Sequence, residues 1–228
     1  MISPKIDLKN YVSDRIESGE INKNNVISIL NKADINISNI KIDPLDIEIQ
    51  EKDLEQIFSF KSNKQFIDRI NETLKKRRKI VFQHQVEEGK KYLLSYNEES
   101  AGTQRYYQLG GFLDLIIRNE SILPIDELES SLHPDLLKFF ILVFLVNSKN
   151  SQIIATTHTR ELLMERDILR NDAIWFTDKK TDGSTDLYSL ADFDSSVVRN
   201  TSSIYNAYKI GKLGAKPNLF DEDFELNW

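Results

Sequence analysis

The sequence predicts an α/β protein in which a small helical lobe, residues 1–78, precedes a largely parallel sheet flanked by helices, residues 79–228. Two observations carry this prediction. From residue 80 onward, strand-like and helix-like hydrophobic patterns alternate, and such alternation favours parallel strands covered on both faces. The first 78 residues show little strand-like alternation, and apolar side chains there recur at roughly helical spacing: Ile57, Phe60, Phe66, Ile67, Ile70 and Leu74.

The elements of the second region follow in order along the chain. Residues 80–85 and 91–95 are predicted to form a hairpin, whose turn contains Glu88 and Gly89. A helix over 102–118 precedes a short strand at 122–125, and Pro134 opens the next helix at its first position. Further strands are predicted at 152–156, 173–177 and 185–189, and further helices at 161–166 and 198–208.

Composition and charge exclude several classes of protein. The chain has 228 residues, of which 40% are hydrophobic, and this suffices for one sizeable core. The net charge of −6 argues against a general affinity for nucleic acid, and the absence of cysteine excludes disulfides and thiolate metal sites. The longest apolar run, 139–146, is far shorter than the roughly 20 residues that span a bilayer. With no secretory signal pattern either, we expect no membrane span and a cytoplasmic protein.

A basic run, residues 75–79, ends the last helix predicted in the first lobe. Positive charge at the end of a helix complements the helix macrodipole. A solvated helix end is the simpler interpretation of this run, and a nucleic-acid contact is the alternative.

Two adjacent carboxylates, Asp126 and Glu127, follow the short apolar strand at 122–125. Mg²⁺ prefers one or two carboxylates together with water and phosphate oxygens. In this arrangement, known as Walker B, Asp126 would hold the metal and Glu127 would polarise the water that attacks a terminal phosphate. The alternative is a strand that ends in a solvated acidic turn. Pro124 counts against a fully regular central strand, because proline donates no backbone hydrogen bond.

A second polar group ends the strand predicted at 152–156. Thr156, Thr157 and His158 would lie at the same edge of a parallel sheet as the two carboxylates. His158 is a candidate sensor of the γ-phosphate, although a lone histidine after a strand is more often a cap or a structural residue. Of the other histidines, His84 in the hairpin is expected to be structural, and His133 lies in the loop after Walker B.

A third group of small and polar residues precedes the helix predicted at 102–118. It contains Ser100, Gly102, Thr103 and Gln104. Backbone amides and hydroxyls at the N-terminus of a helix can hold an anion. The alternative is an ordinary helix cap with a glycine turn.

Taken together, these groups resemble ABC-type ATPase heads in their order and spacing. Residues 100–104 align with the signature loop of that family, 126–127 with Walker B, 130–133 with the D-loop, and His158 with the H-loop. The chain looks most like the bacterial AAA/ABC-type ATPases that are grouped with overcoming-lysogenization-defect and abortive-infection proteins. The resemblance covers about residues 80–220 and implies the C-terminal lobe of a P-loop NTPase head.

The resemblance also implies roles for individual residues. ATP with Mg²⁺ would lie between two heads, where Asp126 would hold the metal while Glu127 and His158 would act on the phosphate. ATP binding would close the pair of heads and hydrolysis would open it. The residues implied to contact the nucleotide from the opposite head, or to connect the heads, are Ser100, Gly102, Thr103, Gln104, Ser131 and His133.

One motif of the family is missing from this chain. No Gly-x-x-x-x-Gly-Lys-Ser/Thr sequence occurs, and none of the eight glycines is followed five positions later by another glycine. We therefore expect a fragment or a split-gene product whose partner is a Walker A-bearing N-terminal lobe or a second head. A homo-oligomer and an effector protein are further expected partners, because an incomplete sheet exposes apolar surface.

Two functions stay open at this point. As an enzyme, the completed head would hydrolyse ATP as a conformational switch in bacterial phage defence. As a binding module, the chain would dock a partner, or bind nucleic acid through residues 75–79, without hydrolysis. The presence of Glu127 favours the enzyme, and the missing phosphate-cradling loop favours the module.

Overall fold

The computed structural model describes residues 1–3, 7–44, 64–75, 77–86, 89–194 and 201–216. It has a mixed α/β fold and divides into two compact units, Met1–Thr157 and His158–Trp228, which are treated separately below. Within the described residues, no helix has both the length and the apolar character needed to cross a bilayer.

Among the described residues of the first unit, three α-helices precede the β-hairpin in the chain and two follow it. Its helices are α1 (Lys9–Glu17), α2 (Lys23–Lys32), α3 (Lys64–Lys75), α4 (Ala101–Asn119) and α5 (Pro134–Asn147). Its strands are β1 (Ile37–Pro44), β2 (Arg78–Gln85), β3 (Lys91–Ser95), β4 (Ile122–Ile125) and β5 (Gln152–Ala155). The predicted hairpin, the helix over 102–118 and the helix that Pro134 opens are therefore confirmed.

The largest sheet of the first unit is antiparallel, with the strand order β1–β2–β3. Its strand β1 lies in the region that the sequence predicted to be a helical lobe, so that prediction is corrected here. The strand was missed because its register shifts between Ile37 and Asn39, as at a β-bulge. The buried residues Ile37 and Ile40 are therefore three positions apart, a spacing that is typical of a helix.

The prediction of a largely parallel sheet is also corrected. In the described residues, parallel pairing is limited to β4 with β5 and to an isolated bridge between Ile2 and Ile125. The β2–β3 pair is antiparallel because its two strands are joined by a short turn, whereas a parallel pair needs a long crossover. In β4, the Pro124 carbonyl accepts the Ile2 amide at 2.9 Å. Proline thus takes part in the backbone hydrogen bonding of the strand as an acceptor, although it has no amide to donate.

The predicted domain boundary between residues 78 and 79 falls at the start of β2. Arg78 does not end a helix there; its side chain bonds the carboxylates of Asp14 (3.0 Å) and Glu17 (2.5 Å) in α1. Arg77 and Lys79 are exposed, and residue 76 lies outside the described residues. The basic run is therefore divided between a helix and a strand, and one of its members is an internal ion-pair partner.

Helix α4 forms the centre of the first unit. Tyr107 is fully buried and packs edge-on against Phe82 of β2, with ring centroids 5.3 Å apart. One turn further along the helix, the backbone at Gly111 lies against α1 so closely that an added Cβ would be 2.5 Å from a methyl group of Val12. Because most of α4 is buried and closely packed, we interpret this helix as a rigid base for the residues at its N-terminus.

The second unit is a small antiparallel pair with a helix beside it. Its strands are β6 (Trp175–Lys179) and β7 (Thr185–Ser189), and its helix is α6 (Thr201–Lys209). The helix predicted at 161–166 is a 3₁₀ turn, Arg160–Met164, and the strand predicted at 173–177 begins two residues later, after another 3₁₀ turn. Residues 195–200, where the last helix was predicted to begin, lie outside the described residues. The core consists of Leu163, Phe176, Leu190, Ile204, Ala207 and Leu213.

Candidate functional site

The two parallel strands β4 and β5 end side by side, and the polar residues after them are bonded to each other. Because Ile125 is paired with Ala155, the next residues, Asp126 and Thr156, meet at one edge. The Thr156 hydroxyl donates to Oδ1 of Asp126 at 2.7 Å and accepts the Glu127 backbone amide at 2.9 Å. A single hydroxyl thus fixes both carboxylate residues relative to β5.

The backbone at Glu127 has an uncommon conformation. Its φ is +47°, in the left-handed region that non-glycine residues seldom adopt. The turn is held by the bond to Thr156, by the following amide of Leu128, which donates to the Thr156 carbonyl at 3.0 Å, and by the burial of the Leu128 side chain. Strained backbone of this kind persists where neighbouring contacts enforce it, and it is frequent at functional sites. The result is an exposed Glu127 carboxylate beside a half-buried Asp126.

This pair of carboxylates suits a hydrated divalent cation. Among the described residues, the hydrogen bond to Asp126 engages Oδ1, so Oδ2 keeps its lone pairs for a ligand. No group of three or more potential metal ligands occurs in the described part of the chain. A site with only one or two carboxylates fits Mg²⁺, which keeps several water molecules and takes its remaining ligands from phosphate.

The turn before α4 has the geometry of a helix cap. Ser100 is the N-cap residue: its hydroxyl accepts the Thr103 amide at 3.0 Å and contacts the Thr103 hydroxyl at 2.9 Å. Gln104 donates through Nε2 to the Glu99 carbonyl at 2.9 Å. The capping alternative raised from the sequence is therefore present, and it leaves the Ser100 side chain exposed at the N-terminus of a long helix.

A contact with the antiparallel sheet also fixes this turn. Nε2 of His84, in β2, lies 2.6 Å from Oε1 of Glu99, whose side chain is only 6% exposed. The expected structural role of His84 thus has a definite form, because the histidine connects the antiparallel sheet to the residue before Ser100. Only the position of His84 in a strand was visible from the sequence, and nothing there pointed to Glu99 as its partner.

The turn before α4 also meets the loop after β4. A Cβ added at Gly102 would lie 3.1 Å from the backbone carbonyl oxygen of Ser131. Ser131 itself is exposed and has a φ of +63°, a second left-handed residue in this region. The structure therefore brings together two of the predicted motifs, residues 100–104 and 130–133, through a contact in which a side chain at position 102 would have little room.

Of the two predicted histidines of the site, His133 caps α5. Its Nδ1 accepts the Asp135 amide at 3.3 Å, Pro134 follows as the first helical residue, and the imidazole is 69% exposed. His158 is the first residue of the second unit, and its side chain is exposed. The proposed roles of both residues stay predictions.

Thr156 is the residue that the sequence analysis undervalued. It was expected only as a hydroxyl at the end of a strand, yet it bonds both Asp126 and Glu127. Its role depends on the register of β4 and β5, which pairs Ile125 with Ala155 and is visible only in the structure.

Comparison with known proteins gives one family. A family model described as "AAA domain, putative AbiEii toxin, Type IV TA system" matches residues 6–165, which is more than half of the chain. The match contains all the motifs discussed above, and it includes the N-terminal region that the resemblance from the sequence, about residues 80–220, had left out. No curated protein matches the chain.

Proposed function

Because the chain belongs to this AAA-domain family, which is associated with abortive infection, we propose that it is the hydrolytic lobe of a composite ATPase site. The family supports an ATPase-like, nucleotide-binding function in a toxin–antitoxin or abortive-infection context. The finer steps below, from hydrolysis to phage defence, are our proposal. The observation that carries them is the bonding of Asp126 and Glu127 by Thr156 at the end of a parallel strand pair.

In this proposal the two carboxylates have different tasks. Asp126 holds Mg²⁺ through Oδ2 or through water, and the ion, when bound, neutralises charge on the phosphate groups. Glu127 accepts a proton from the attacking water, as a general base. The Thr156 hydroxyl fixes the positions of both residues relative to β5, since it donates to the Asp126 carboxylate and accepts the Glu127 backbone amide. His158 is proposed to bond the γ-phosphate.

The remaining predicted residues belong to a second face of the same lobe. Ser100, Gly102, Thr103 and Gln104 would contact a nucleotide held by an opposing head, with Ser131 and His133 beside them. The close approach of Gly102 to the Ser131 carbonyl supports this grouping, because two segments in such close contact cannot move independently. Closure of two heads around ATP and their opening after hydrolysis would then act as the switch.

In this proposal the phosphate-cradling loop comes from a Walker A-bearing lobe outside the given sequence, which contains no such motif. The structure offers a surface for such a partner on one face of the β4–β5 pair. Ile122 and Ile154 lie on that face, and each is 62% exposed; nearby in the chain, Val146 at the end of α5 is 79% exposed. Parallel strands are normally covered on both faces, so this surface supports docking of a Walker A-bearing lobe.

The test is ATP hydrolysis by the purified chain, alone and mixed with a Walker A-bearing N-terminal lobe of the same family. We expect hydrolysis only in the mixture and a loss of at least about 100-fold in the Glu127→Gln variant. Glu120→Gln is the matched control, because Glu120 is also an exposed glutamate with a left-handed backbone, φ +48°, and should leave the rate unchanged.

Two outcomes would contradict the proposal. If Glu127→Gln hydrolyses ATP as fast as Glu120→Gln, Glu127 is not the general base. If the mixture forms a stable complex but neither binds nor hydrolyses ATP, the second candidate, a docking module without hydrolysis, takes its place. The missing cradle loop is the observation that favours this second candidate.

A further inference from the structure

Arg105, in the second turn of α4, is buried without a hydrogen-bond partner. Its relative exposure is 6%, and among the described residues Nε, Nη1 and Nη2 all lack an acceptor. Three other arginines differ in this respect. Arg78 bonds Asp14 and Glu17, Arg118 bonds Asp114, and Arg170 bonds Asp172.

A buried guanidinium without a hydrogen-bond partner destabilises the folded protein. It stays charged at any ordinary pH, and a buried charge without a partner loses its hydration and receives nothing in return. The position in the helix adds to this, because the N-terminal end of a helix repels cations and favours anions. Burial also lowers the pKa of Arg105, and the interaction with Tyr96 opposes this shift.

The group that interacts electrostatically with Arg105 already accepts a hydrogen bond. This group is the hydroxyl of Tyr96, whose oxygen accepts Nε2 of Gln108 at 2.6 Å. Gln108 lies one turn along the same helix and also contacts Asp7, whose carboxylate in turn accepts the Lys9 amide. The same Lys9 places its ammonium 5.3 Å from the Tyr96 ring centroid, so a second cation lies on this side of α4.

The rest of the neighbouring segment cannot neutralise the guanidinium. Gln108 accepts the Leu8 amide, so the start of the chain lies along this face of α4. Residues 4–6, which precede it, are Pro, Lys and Ile and carry no carboxylate. The local balance of Arg105 and Lys9 against Asp7 is therefore positive.

We propose that Arg105 anchors an oxyanion-binding site on the Tyr96 side of α4, which takes a phosphate or carboxylate group from outside the described chain. The planar fork of the guanidinium would bond two oxygens of such a group, which Lys cannot do. Two sources carry this chemistry, namely a nucleotide phosphate and a carboxylate side chain of a docked protein segment. The site does not depend on hydrolysis, so it stands or fails separately from the role of Glu127.

The experiment is a melting-temperature titration of the whole chain with inorganic phosphate, acetate or ATP, at constant ionic strength held with chloride. In the wild-type chain, phosphate or acetate should raise the melting temperature by about 3–6 °C at about ten times its dissociation constant. Arg105→Met should show no shift and should melt in chloride at or above the wild-type temperature, because it removes an unpaired buried charge. Arg118→Met is the matched control from the same helix and should keep the wild-type anion response.

The three titrants separate the two sources. A nucleotide source predicts that ATP acts at a concentration at least about tenfold lower than inorganic phosphate. A protein carboxylate predicts that acetate acts at least as well as phosphate and that ATP has no advantage. Equal shifts in wild type and Arg105→Met, or no shift in the wild type with any of the three, would overturn the site.

A second measurement covers the case in which Arg105→Met does not fold. The Nε–H resonance of Arg105, assigned by its loss in Arg105→Lys, should move on addition of phosphate or acetate to the wild-type chain. The Arg105→Lys variant keeps the charge but loses the fork, and its apparent affinity should fall at least about fivefold. A resonance that stays in place through the titration would also overturn the proposal.

Discussion

The two ends of α4 treat their charged groups differently. At the C-terminal end, Asp114 is 3% exposed and accepts three partners: the Asn22 amide at 2.8 Å, Nδ2 of Asn25 at 2.6 Å and Nη2 of Arg118 at 2.6 Å. At the N-terminal end, Arg105 is almost as deeply buried and has no partner among the described residues. Within the described residues, one buried charge is satisfied and the other is not.

From this difference we infer a structural role for the Asp114 end of α4 and a functional role for the Arg105 end. The Asp114 network joins α4 to α2 and needs nothing from outside, so we interpret it as part of the folding core. The opposite end holds Ser100, Gly102 and Arg105 within two turns, next to the loop that contains Ser131. Arg105 is the buried charge without a partner among the described residues, so we interpret this end of α4 as the place where a ligand or a partner binds.

The largest expected effect is at the satisfied end. Asp114→Ala should lower the free energy of unfolding by about 3 kcal/mol, because it leaves the Asn22 amide and the Asn25 side chain without their buried acceptor. Urea unfolding of the purified chain measures this change. Arg118→Met is the control: Arg118 is 42% exposed, and its loss leaves Asp114 with both amide partners, so it should cost less. A larger effect for Arg118→Met would mean that the comparison between the two ends is wrong.

The middle of α4 offers a matched pair of glycines. Gly111→Ala should destabilise the chain by about 2 kcal/mol, because the new Cβ would lie 2.5 Å from Cγ1 of Val12 and push α1 away. At Gly110 the nearest atom is a methyl of Ile29 at 3.6 Å, an ordinary contact, so Gly110→Ala should be neutral or stabilising by up to about 1 kcal/mol. Thermal unfolding of both variants checks the pair, and equal effects would contradict it.

A pH effect is expected at the unsatisfied end. Burial raises the pKa of Tyr96 to about 12, with the Gln108 hydrogen bond opposing this and Asp7 adding to it. A raised pKa means that the stabilisation is complete below the unfolded value near 10 and is lost as the pH rises from 10 towards 12. By pH 11 the loss should be about 1 kcal/mol.

Chemical unfolding between pH 8 and pH 11 measures this loss. In Tyr96→Phe the alkaline slope should become shallower, because the titrating hydroxyl is gone. Tyr92→Phe, which changes a tyrosine that is 54% exposed, should keep the wild-type slope. If Tyr96→Phe retains the full slope, the loss of stability arises from another group.

Several parts of the fold could be predicted from the sequence because their causes are local. The α4 helix has a serine cap and a glycine-containing first turn, and α5 has proline at its first position, so each was placed within a residue or two. The β2–β3 hairpin has two short strand-like runs separated by a turn in which Gly89 has a φ of +74°. The strand-like patterns before Asp126 and Thr156 likewise predicted that these two residues lie at the same edge of a sheet, and their side chains are hydrogen-bonded there.

The parts that failed depend on contacts between distant residues. β1 was taken for part of a helical lobe because its register shift gives buried residues a spacing of three, and only pairing with β2 makes it a strand. The bond between His84 and Glu99 and the missing partner of Arg105 are also invisible in the sequence. Nothing in the pattern around Arg105 distinguishes a buried guanidinium from an exposed one, since burial is decided by what packs over the helix.

The smallest effect on stability, and the sharpest on function, is expected at Gly102. In Gly102→Ala the gain in helix propensity opposes a tight contact of 3.1 Å with the Ser131 carbonyl, so the free energy of unfolding should change by no more than about 0.5 kcal/mol. Hydrolysis by the chain with its Walker A-bearing partner should nevertheless fall about tenfold, because the loop that holds Ser131 must shift.

Gly110→Ala supplies the control for this last prediction, since it makes the same substitution in the same helix away from the loop. Its hydrolysis rate should match the wild type, and unfolding curves of both variants show whether stability has been kept. A normal rate in Gly102→Ala would mean that the contact between the two loops is only packing. A fall in rate without a fall in stability would place function at the N-terminal end of α4, where Arg105 has no hydrogen-bond partner among the residues that the structure describes.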